Sequence, residues 1–317
     1  VAIVLLMGGE LISRYVLGLG TPPLSMADPE VESLFKPSQE VHRFGNRIAF
    51  NAYSMRSDAF SRTKDNPEEF RLLVLGDSVI NGGAQTDQAE LATQRLQADL
   101  AAALDRPVVV GNLSAGSWGP GNLLAYLKRE GTFDADMVVL VVSSHDANDV
   151  PTFTPIIGIN PAFPDRQPVL ALQEAVTRYL PRYLPFLDRK PDTHNTQPSN
   201  SATNNDAIPA FLELIELIQG EGLPLIVIHH AEQSELSDGY ELGHGAIVES
   251  LASLGLTPLE TAPLFQQAID AGRHPYRDNI HPNAAGQRLL AELIEEAVLL
   301  KQTEELRPET PAGATAP

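Results

Sequence analysis

The stretch RLLVLGDS, residues 71–78, decides the fold predicted for this chain. Residues 71–75 have the length and the β-favouring, mostly apolar composition of a buried strand, and a loop opens at Gly76. Ligands of open α/β sheets bind in the crevice where parallel strands end. Ser78 is therefore predicted to lie at the edge of such a crevice.

Strand-like and helix-like segments alternate beyond this stretch. They are predicted at 71–75 (strand), 87–104 (helix), 107–111 (strand), 121–130 (helix), 136–143 (strand), 207–220 (helix), 225–228 (strand), 244–254 (helix) and 283–301 (helix). Such alternation indicates βαβ units and a parallel sheet. The predicted fold class is α/β, a three-layer α/β/α sandwich with a central parallel sheet of about five strands.

The amino-terminal segments are interpreted separately. Residues 1–20 are expected to be the end of a signal or membrane anchor, because residues 1–7 are strongly apolar and begin without Met. The alternative is an ordinary buried helix, since Glu10 and Arg14 interrupt a run shorter than the roughly 20 residues of a membrane span. Residues 21–70, rich in turn formers, are predicted to be an arm of short strands and not a separate domain.

The main domain is predicted to span residues 71–302. Residues 151–206 interrupt its rhythm with many prolines and a polar stretch, which indicates an insertion. A lid or substrate-binding loop and a mobile surface loop are equally consistent with this insertion. Residues 303–317 mix Pro, Thr, Glu and Ala, and are predicted to be disordered.

Composition excludes several classes of function. The chain has 41 acidic and 22 basic side chains, a formal charge of −19, which repels phosphate backbones and argues against a nucleic-acid partner. It has no cysteine, so disulfides, thiolate zinc sites and a cysteine nucleophile are excluded.

Four short blocks carry the candidate chemistry. They are GDS at 76–78, GNLSAGSWGPGN at 111–122, SSHDAND at 143–149 and DNIHPN at 278–283. The first three follow predicted strands, and the fourth precedes the last helix. Each block alone is a weak signal, because serine and aspartate cap helices and loop asparagines commonly bond their own backbone.

Together the blocks could supply a nucleophile with its base. A serine hydroxyl is a weak nucleophile until an imidazole takes its proton, and a carboxylate must orient that imidazole. Ser78 with His281 and Asp278 fits these three roles, although His281 alone is more often a structural residue. The glycines of the second block and the Asn148 amide are suited to holding an oxyanion.

In order and position the four blocks resemble the GDSL or SGNH hydrolase superfamily over about residues 71–300. The resemblance implies a flavodoxin-like fold, Ser78 as nucleophile, His281 as base and Asp278 as its orienter. It implies an oxyanion hole from the Ser78 N–H, the Asn148 amide and either Gly116 or Ser117. The chain departs from the family pattern where Ser117 stands at the usual glycine and where Asp146 replaces another glycine.

Other candidate residues have weaker support. Asp77, Trp118 and His145 are proposed substrate contacts, with a helix cap, a packing anchor and a structural histidine as their respective alternatives. The histidines His229, His230, His244 and His274 show no ligand spacing, so no metal site is predicted. There is no G-x-S-x-G elbow, phosphate loop or H-E-x-x-H pair, and no cofactor is expected.

The expected function is that of a serine esterase removing a small acyl group, most simply acetyl, from an oxygen ester on a carbohydrate. The first alternative is an O-acyltransferase of an envelope polysaccharide that uses the same triad. The second is a non-catalytic glycan-binding or assembly protein. By similarity to envelope-associated members, an extracytoplasmic location, periplasmic or membrane-anchored, is expected, and a cytoplasmic one is left open. The expected partner is a small-molecule or glycan ester; the oligomeric state is not predicted.

Overall fold

The computed structural model describes residues 1–180 and 204–305. Its strands are β1 (Ser25–Asp28), β2 (Glu32–Phe35), β3 (Gln39–Arg43), β4 (Asn46–Phe50), β5 (Phe70–Gly76), β6 (Val108–Ser114), β7 (Met137–Val142), β8 (Leu225–His229) and β9 (Leu259–Glu260). Strands β5 to β9 form one parallel sheet in the order β6-β5-β7-β8-β9. This confirms the predicted α/β class and its five-stranded parallel sheet.

The helices are α1 (Ala2–Leu11), α2 (Ser78–Asn81), α3 (Ala92–Leu104), α4 (Pro120–Glu130), α5 (Ala171–Glu174), α6 (Ile208–Gly220), α7 (Glu235–Asp238), α8 (Leu242–Ser253), α9 (Ala262–Asp270) and α10 (Ala284–Glu305). Short 3-10 turns occupy Gly83–Gln85, Gln88–Glu90 and Ser144–Ala147, and π-helical turns occupy Ile12–Val16 and Ala175–Tyr179.

Two apolar layers cover the sheet. Every residue of β5 and β7 is buried, as expected of central strands with helices on both faces. Leu73 and Leu140 pack with residues of α4, α6 and α8 on one face. Leu72 and Val139 pack with residues of α3, α9 and α10 on the other. The alternation of side chains along each strand thus builds the three-layer sandwich.

The structure corrects some predicted boundaries. The helix predicted from residue 87 begins only at Ala92, because Leu91 is extended (φ −60°, ψ 142°) and separates α3 from the turn at Gln88–Glu90. Helix α10 continues to Glu305, past the predicted end of the domain at 302. The remainder of the tail, residues 306–317, and residues 181–203 of the insertion lie outside the described residues.

The arm contains two antiparallel hairpins, β1–β2 and β3–β4. Phe35 of one stacks on Phe50 of the other at a ring-centroid distance of 4.0 Å. The first hairpin is also bonded to the second block: the Trp118 indole N–H donates to the Ser33 carbonyl at 3.0 Å, and Asn122 Nδ2 donates to the Val31 carbonyl at 2.7 Å. The arm therefore packs directly against residues near the predicted crevice.

Helix α1 has no buried residue, unlike the ordinary buried helix that is the alternative expectation for this segment. The side chains of Val4, Leu5 and Leu6 are exposed. None of the helices within residues 1–180 and 204–305 combines the length and the hydrophobicity that crossing a membrane requires.

Candidate active site

Ser78 stands where β5 gives way to α2. Asp77 caps this helix, since its Oδ1 accepts a hydrogen bond from the Val79 N–H at 2.8 Å. The end of the strand lies close to the helix, because a Cβ added at Gly76 would be 3.0 Å from Ile80 Cγ1. Because Asp77 caps the helix, the partly exposed Ser78 hydroxyl is available for another partner.

That partner is His281. Its Nε2 lies 2.9 Å from Ser78 Oγ, and its Nδ1 lies 2.8 and 2.9 Å from the two carboxylate oxygens of Asp278. Because an ionised carboxylate only accepts, Nδ1 carries the hydrogen and Nε2 presents its lone pair to the serine. The structure thus brings together the three residues predicted as nucleophile, base and orienter.

Asp278 is held as a carboxylate. Burial alone would raise its pKa, but the backbone N–H and the ring of His281 outweigh this effect and lower the pKa below its usual value. Its Oδ1 accepts from the backbone N–H groups of His281 at 2.8 Å and Ile280 at 3.1 Å. The loop is folded around the carboxylate, which fixes the orientation of the imidazole.

His230, which was not predicted as a site residue, supports the same loop. Its Nε2 lies 2.8 Å from the carbonyl oxygen of Ile280. Burial lowers the pKa of His230 to about 4, so the ring is neutral at physiological pH and donates its single hydrogen to that carbonyl. Nearby, the Gln233 N–H donates to the carbonyl of Asn279 at 2.6 Å. The residues after β8 therefore position the triad loop.

Two of the candidate oxyanion donors, Ser78 and Gly116, follow neighbouring strands at equivalent positions. Gly76 of β5 pairs with Ser114 of β6, so Ser78 and Gly116 each lie two residues beyond a paired position. Within the described residues, the backbone N–H groups of Ser78, Gly116 and Ser117 have no hydrogen-bond acceptor. Ser117 is exposed with φ +63°, a left-handed conformation that the usual glycine would adopt without strain.

Asn148 follows the 3-10 turn after β7, the strand on the other side of β5. Its Oδ1 accepts a hydrogen bond from the Asn205 N–H at 2.9 Å. This bond fixes the orientation of the amide plane and leaves Nδ2 as the donor. The side chain therefore presents the chemical group that an oxyanion requires.

Two predicted substrate contacts are corrected. Trp118 is 2% exposed and packs beside Tyr126, so it is an anchor between the arm and α4 and not a sugar platform. Asp77 is 5% exposed and bonds the Val79 N–H and the ring of His145, so it is a helix cap. Burial removes both side chains from contact with a substrate.

His145 is surrounded by carboxylates at the crevice. Its Nε2 lies 3.3 Å from Asp77 Oδ2, and its Nδ1 lies 3.5 Å from Glu232 Oε1. Burial alone would lower its pKa, but the surrounding carboxylates, with Asp77 and Glu232 in direct contact, raise it well above the usual value. Burial raises the pKa of Asp146 to about 8 and that of Asp149 to about 6. His145 is therefore a partly exposed imidazolium in acidic surroundings.

Arg56 of the arm is a second unpredicted residue. It is completely buried and donates to the carbonyls of Gly83 at 2.6 Å and Thr86 at 2.7 Å, and also to that of Asn81. Burial lowers the pKa of its guanidinium to about 9. Arg56 thus holds the segment that follows the Ser78 helix, and no local sequence signal could have identified it.

Two groups of side chains have the donor atoms of a metal site. Within the described residues, the first group is Asp77, His145 and Asp146, and the second is His229, His244 and Glu260. In each group, one ligand atom from each residue lies within 4.8 Å of those of the other two. In the first group, the His145 imidazolium already balances the charge of Asp77. The second group brings together His229 and His244, two of the four histidines that showed no ligand spacing in the sequence.

Fold and site together define an α/β protein with a serine, a histidine and a carboxylate in contact beside the ends of its parallel strands. This is the arrangement that the G-D-S-L resemblance implies. The sequence matches no protein-family model, and no curated protein matches it.

Several solved structures are similar to this chain. One is a two-domain esterase active on acetylated mannans, with 14% identity and a TM-score of 0.46 over 78% of this chain and 53% of that chain. Another is a member of the lipolytic protein G-D-S-L family from Veillonella parvula, with 12% identity and a TM-score of 0.43 over 73% and 98%.

A third is an acetyl xylan esterase from Geobacillus stearothermophilus, with 15% identity and a TM-score of 0.43 over 72% of this chain and 94% of that chain. This chain spans about half the length of the mannan esterase, 53%. The proposed function therefore rests on the residues of this chain and not on these similarities.

Proposed function

We propose that this protein is a serine esterase that removes a small acyl group, acetyl in the simplest case, from an oxygen ester on a carbohydrate. The contact of His281 Nε2 with Ser78 Oγ at 2.9 Å, with Asp278 on the opposite ring nitrogen, carries this proposal. A hydroxyl bonded in this way has a base to take its proton as it attacks a carbonyl.

The mechanism follows from the positions of these groups. Ser78 Oγ attacks the ester carbonyl while His281 Nε2 takes its proton, and Asp278 stabilises the imidazolium that forms. His281 then gives the proton to the departing sugar oxygen. His281 Nε2 next takes a proton from water, which attacks the acyl-serine, and it returns this proton to Ser78 Oγ as the carboxylic acid leaves. Every proton thus moves between His281 Nε2 and an oxygen atom, so the steps need no cofactor.

The tetrahedral intermediate carries a negative charge on the former carbonyl oxygen. We assign its stabilisation to the backbone N–H of Ser78, the Asn148 amide and an N–H from Gly116 or Ser117. These donors are preformed, so little reorganisation is needed when the charge develops. Loss of one such donor typically costs about a hundredfold or more in rate.

The crevice charge favours neutral or cationic esters over anionic ones. Asp77 and Glu232 flank His145, and Asp149, whose pKa burial raises to about 6, is mostly ionised at neutral pH. This excess of negative charge, together with the net charge of −19, disfavours a carboxylated or phosphorylated substrate. An acetylated neutral glycan fits these surroundings. The extracytoplasmic location expected for such a substrate is part of the same proposal.

The test is hydrolysis of p-nitrophenyl acetate and of acetylated manno- or xylo-oligosaccharides by the purified protein. Ser78→Ala should lower kcat by at least about a thousandfold, while Ser237→Ala, at an exposed position, should leave it unchanged. Circular dichroism should show both variants folded. Equal turnover by wild type and Ser78→Ala would refute the esterase.

The same assay separates the alternative reactions. With an unacetylated oligosaccharide added, mass spectrometry would detect acetyl transfer to sugar in place of free acetate. Transfer that depends on Ser78 would identify an O-acyltransferase using the same triad. Absence of any Ser78-dependent turnover would favour a non-catalytic glycan-binding protein.

A further inference from the structure

A second constellation of ionisable side chains lies apart from the triad. We call it the histidine cluster; it consists of His229 at the end of β8, Glu260 at the end of β9, and His244 and Tyr240 near the start of α8. His229 Nδ1 lies 3.0 Å from Glu260 Oε2, and His244 Nε2 lies 3.0 Å from Glu260 Oε1. Tyr240 stacks on His244 at 3.8 Å and donates its hydroxyl to Glu260 Oε2 at 3.0 Å.

The hydrogen-bond partners of Glu235 determine where the hydrogens lie. Its Oε1 accepts from Ser144 Oγ at 2.5 Å and from the Glu241 N–H at 2.9 Å, and its Oε2 accepts from the Glu232 N–H at 2.7 Å. Both side-chain oxygens of Glu235 therefore act as hydrogen-bond acceptors. A serine hydroxyl has a single hydrogen, and Ser144 gives it to Glu235.

The opposite side of Ser144 faces His229. Its Oγ lies 3.0 Å from His229 Nε2, and because its hydrogen is already donated, it must accept one from that nitrogen. With Nε2 bonded to Ser144, His229 presents its other ring nitrogen, Nδ1, to Glu260 Oε2 at 3.0 Å.

No lysine or arginine enters this cluster. Within residues 1–180 and 204–305, neither Glu235 nor Glu260 forms an ion pair with a lysine or arginine. The two carboxylate oxygens of Glu260 therefore face the two imidazoles and the Tyr240 hydroxyl without a competing basic side chain.

The separations fit a shared metal. Tetrahedral zinc with bond lengths of about 2.0–2.2 Å places its ligand atoms about 3.3 Å apart. Each histidine nitrogen lies 3.0 Å from a Glu260 oxygen, and the donor atoms all lie within 4.8 Å of one another. His229 also has the outer hydrogen bond typical of metal-binding histidines, through Ser144 to Glu235.

Local packing keeps His244 within reach. The helix that carries it lies so close to the turn at Ser144 that a Cβ at Gly243 would be 1.9 Å from the Ser144 carbonyl oxygen. Only glycine permits this approach. His229 is fully buried, whereas His244 and Glu260 are partly exposed, which gives an ion a path from solvent.

We propose that His229 Nδ1, His244 Nε2 and a Glu260 carboxylate oxygen bind one divalent transition-metal ion of the zinc class, with water completing the tetrahedron. Two imidazoles and a carboxylate are ligands that Zn²⁺ accepts. The ion joins β8, β9 and α8, and its role is structural. The proposal departs from the expectation of no metal, which rested on ligand spacing, because these three residues are far apart in sequence.

The test is metal binding by tag-free protein after dialysis against a chelator. Titration with Zn²⁺ in competition with a chromophoric chelator should show one ion per chain with a micromolar or lower Kd. His244→Ala and Glu260→Gln should each weaken binding by about a hundredfold or more, and His274→Ala, which removes an exposed histidine, should not change it. At 100 times Kd, Zn²⁺ should raise Tm by about 5 °C in wild type and not in His244→Ala.

Three outcomes would overturn the proposal. Binding absent up to about 100 μM Zn²⁺ would mean that the cluster is a hydrogen-bonded network and not a metal site. Unchanged affinity in both His244→Ala and Glu260→Gln would place the ion elsewhere. Binding lost only in His145→Ala would assign it to the Asp77, His145 and Asp146 group. Circular dichroism identifies a variant that fails to fold. Because His244→Ala and Glu260→Gln are tested separately, the proposal can still be decided by one variant if the other does not fold.

Discussion

The exposure of Asp278 sets the size of its expected contribution to catalysis. Two unit charges about 4 Å apart attract by about 1 kcal/mol in water and about 4 kcal/mol at an effective dielectric constant of 20. Asp278 is 49% exposed, so its stabilisation of the His281 imidazolium lies between these limits. That range corresponds to about a 5- to 1000-fold effect on rate. We therefore expect Asp278→Asn to lower kcat about a hundredfold.

The KM of this variant should change little, because the carboxylate contacts the imidazole and not the substrate. Initial rates with p-nitrophenyl acetate over a range of concentrations separate kcat from KM. Asp270→Asn, an exposed carboxylate on α9, is the matched control and should behave as wild type. A kcat for Asp278→Asn within threefold of wild type would refute the role assigned to the Asp278 contact.

Three further variants test the oxyanion donor, the arm and the acidic crevice. Asn148→Ala should lower kcat about a hundredfold with KM nearly unchanged; a fall of less than fivefold would exclude it as a donor. Arg56→Met should lower Tm by about 6 °C or more in a thermal melt, because buried carbonyls near Gly83 lose their donor; a shift below about 2 °C would contradict this. The raised pKa of Asp146 means that the folded state retains a proton that the unfolded chain loses, so the wild-type free energy of unfolding should fall as pH rises toward about 8. Asp146→Asn should reduce this fall in urea melts from about pH 5 to about pH 8, and an unchanged slope would show that Asp146 is ionised.

Much of the fold could be predicted because its signals are local. Strands β5 and β7 are apolar runs, and burial on both faces requires that composition. Ser78 directly follows β5, and Asp278 and His281 lie in the loop just before helix α10, so local signals also locate the triad. Helix α9 and strand β9 were missed because β9 has only two residues, Leu259 and Glu260, and offers no periodic pattern.

The remainder of the site depends on contacts between residues distant in sequence. Arg56 reaches the Thr86 carbonyl, and His230 reaches the Ile280 carbonyl, with no motif linking either pair. The sequence also left two roles open for Trp118, and only its burial against the arm decides between them. Tertiary packing, and not local composition, determines these positions.

The most direct test of the proposed triad is labelling by a serine-directed phosphonate, followed by peptide mass spectrometry of the folded protein. The reagent requires an activated hydroxyl, so we expect a single adduct on the peptide containing Ser78 and at least a hundredfold slower labelling in His281→Ala. Labelling of another serine, or an equal rate at Ser78 without the imidazole, would contradict the claim that His281 activates Ser78.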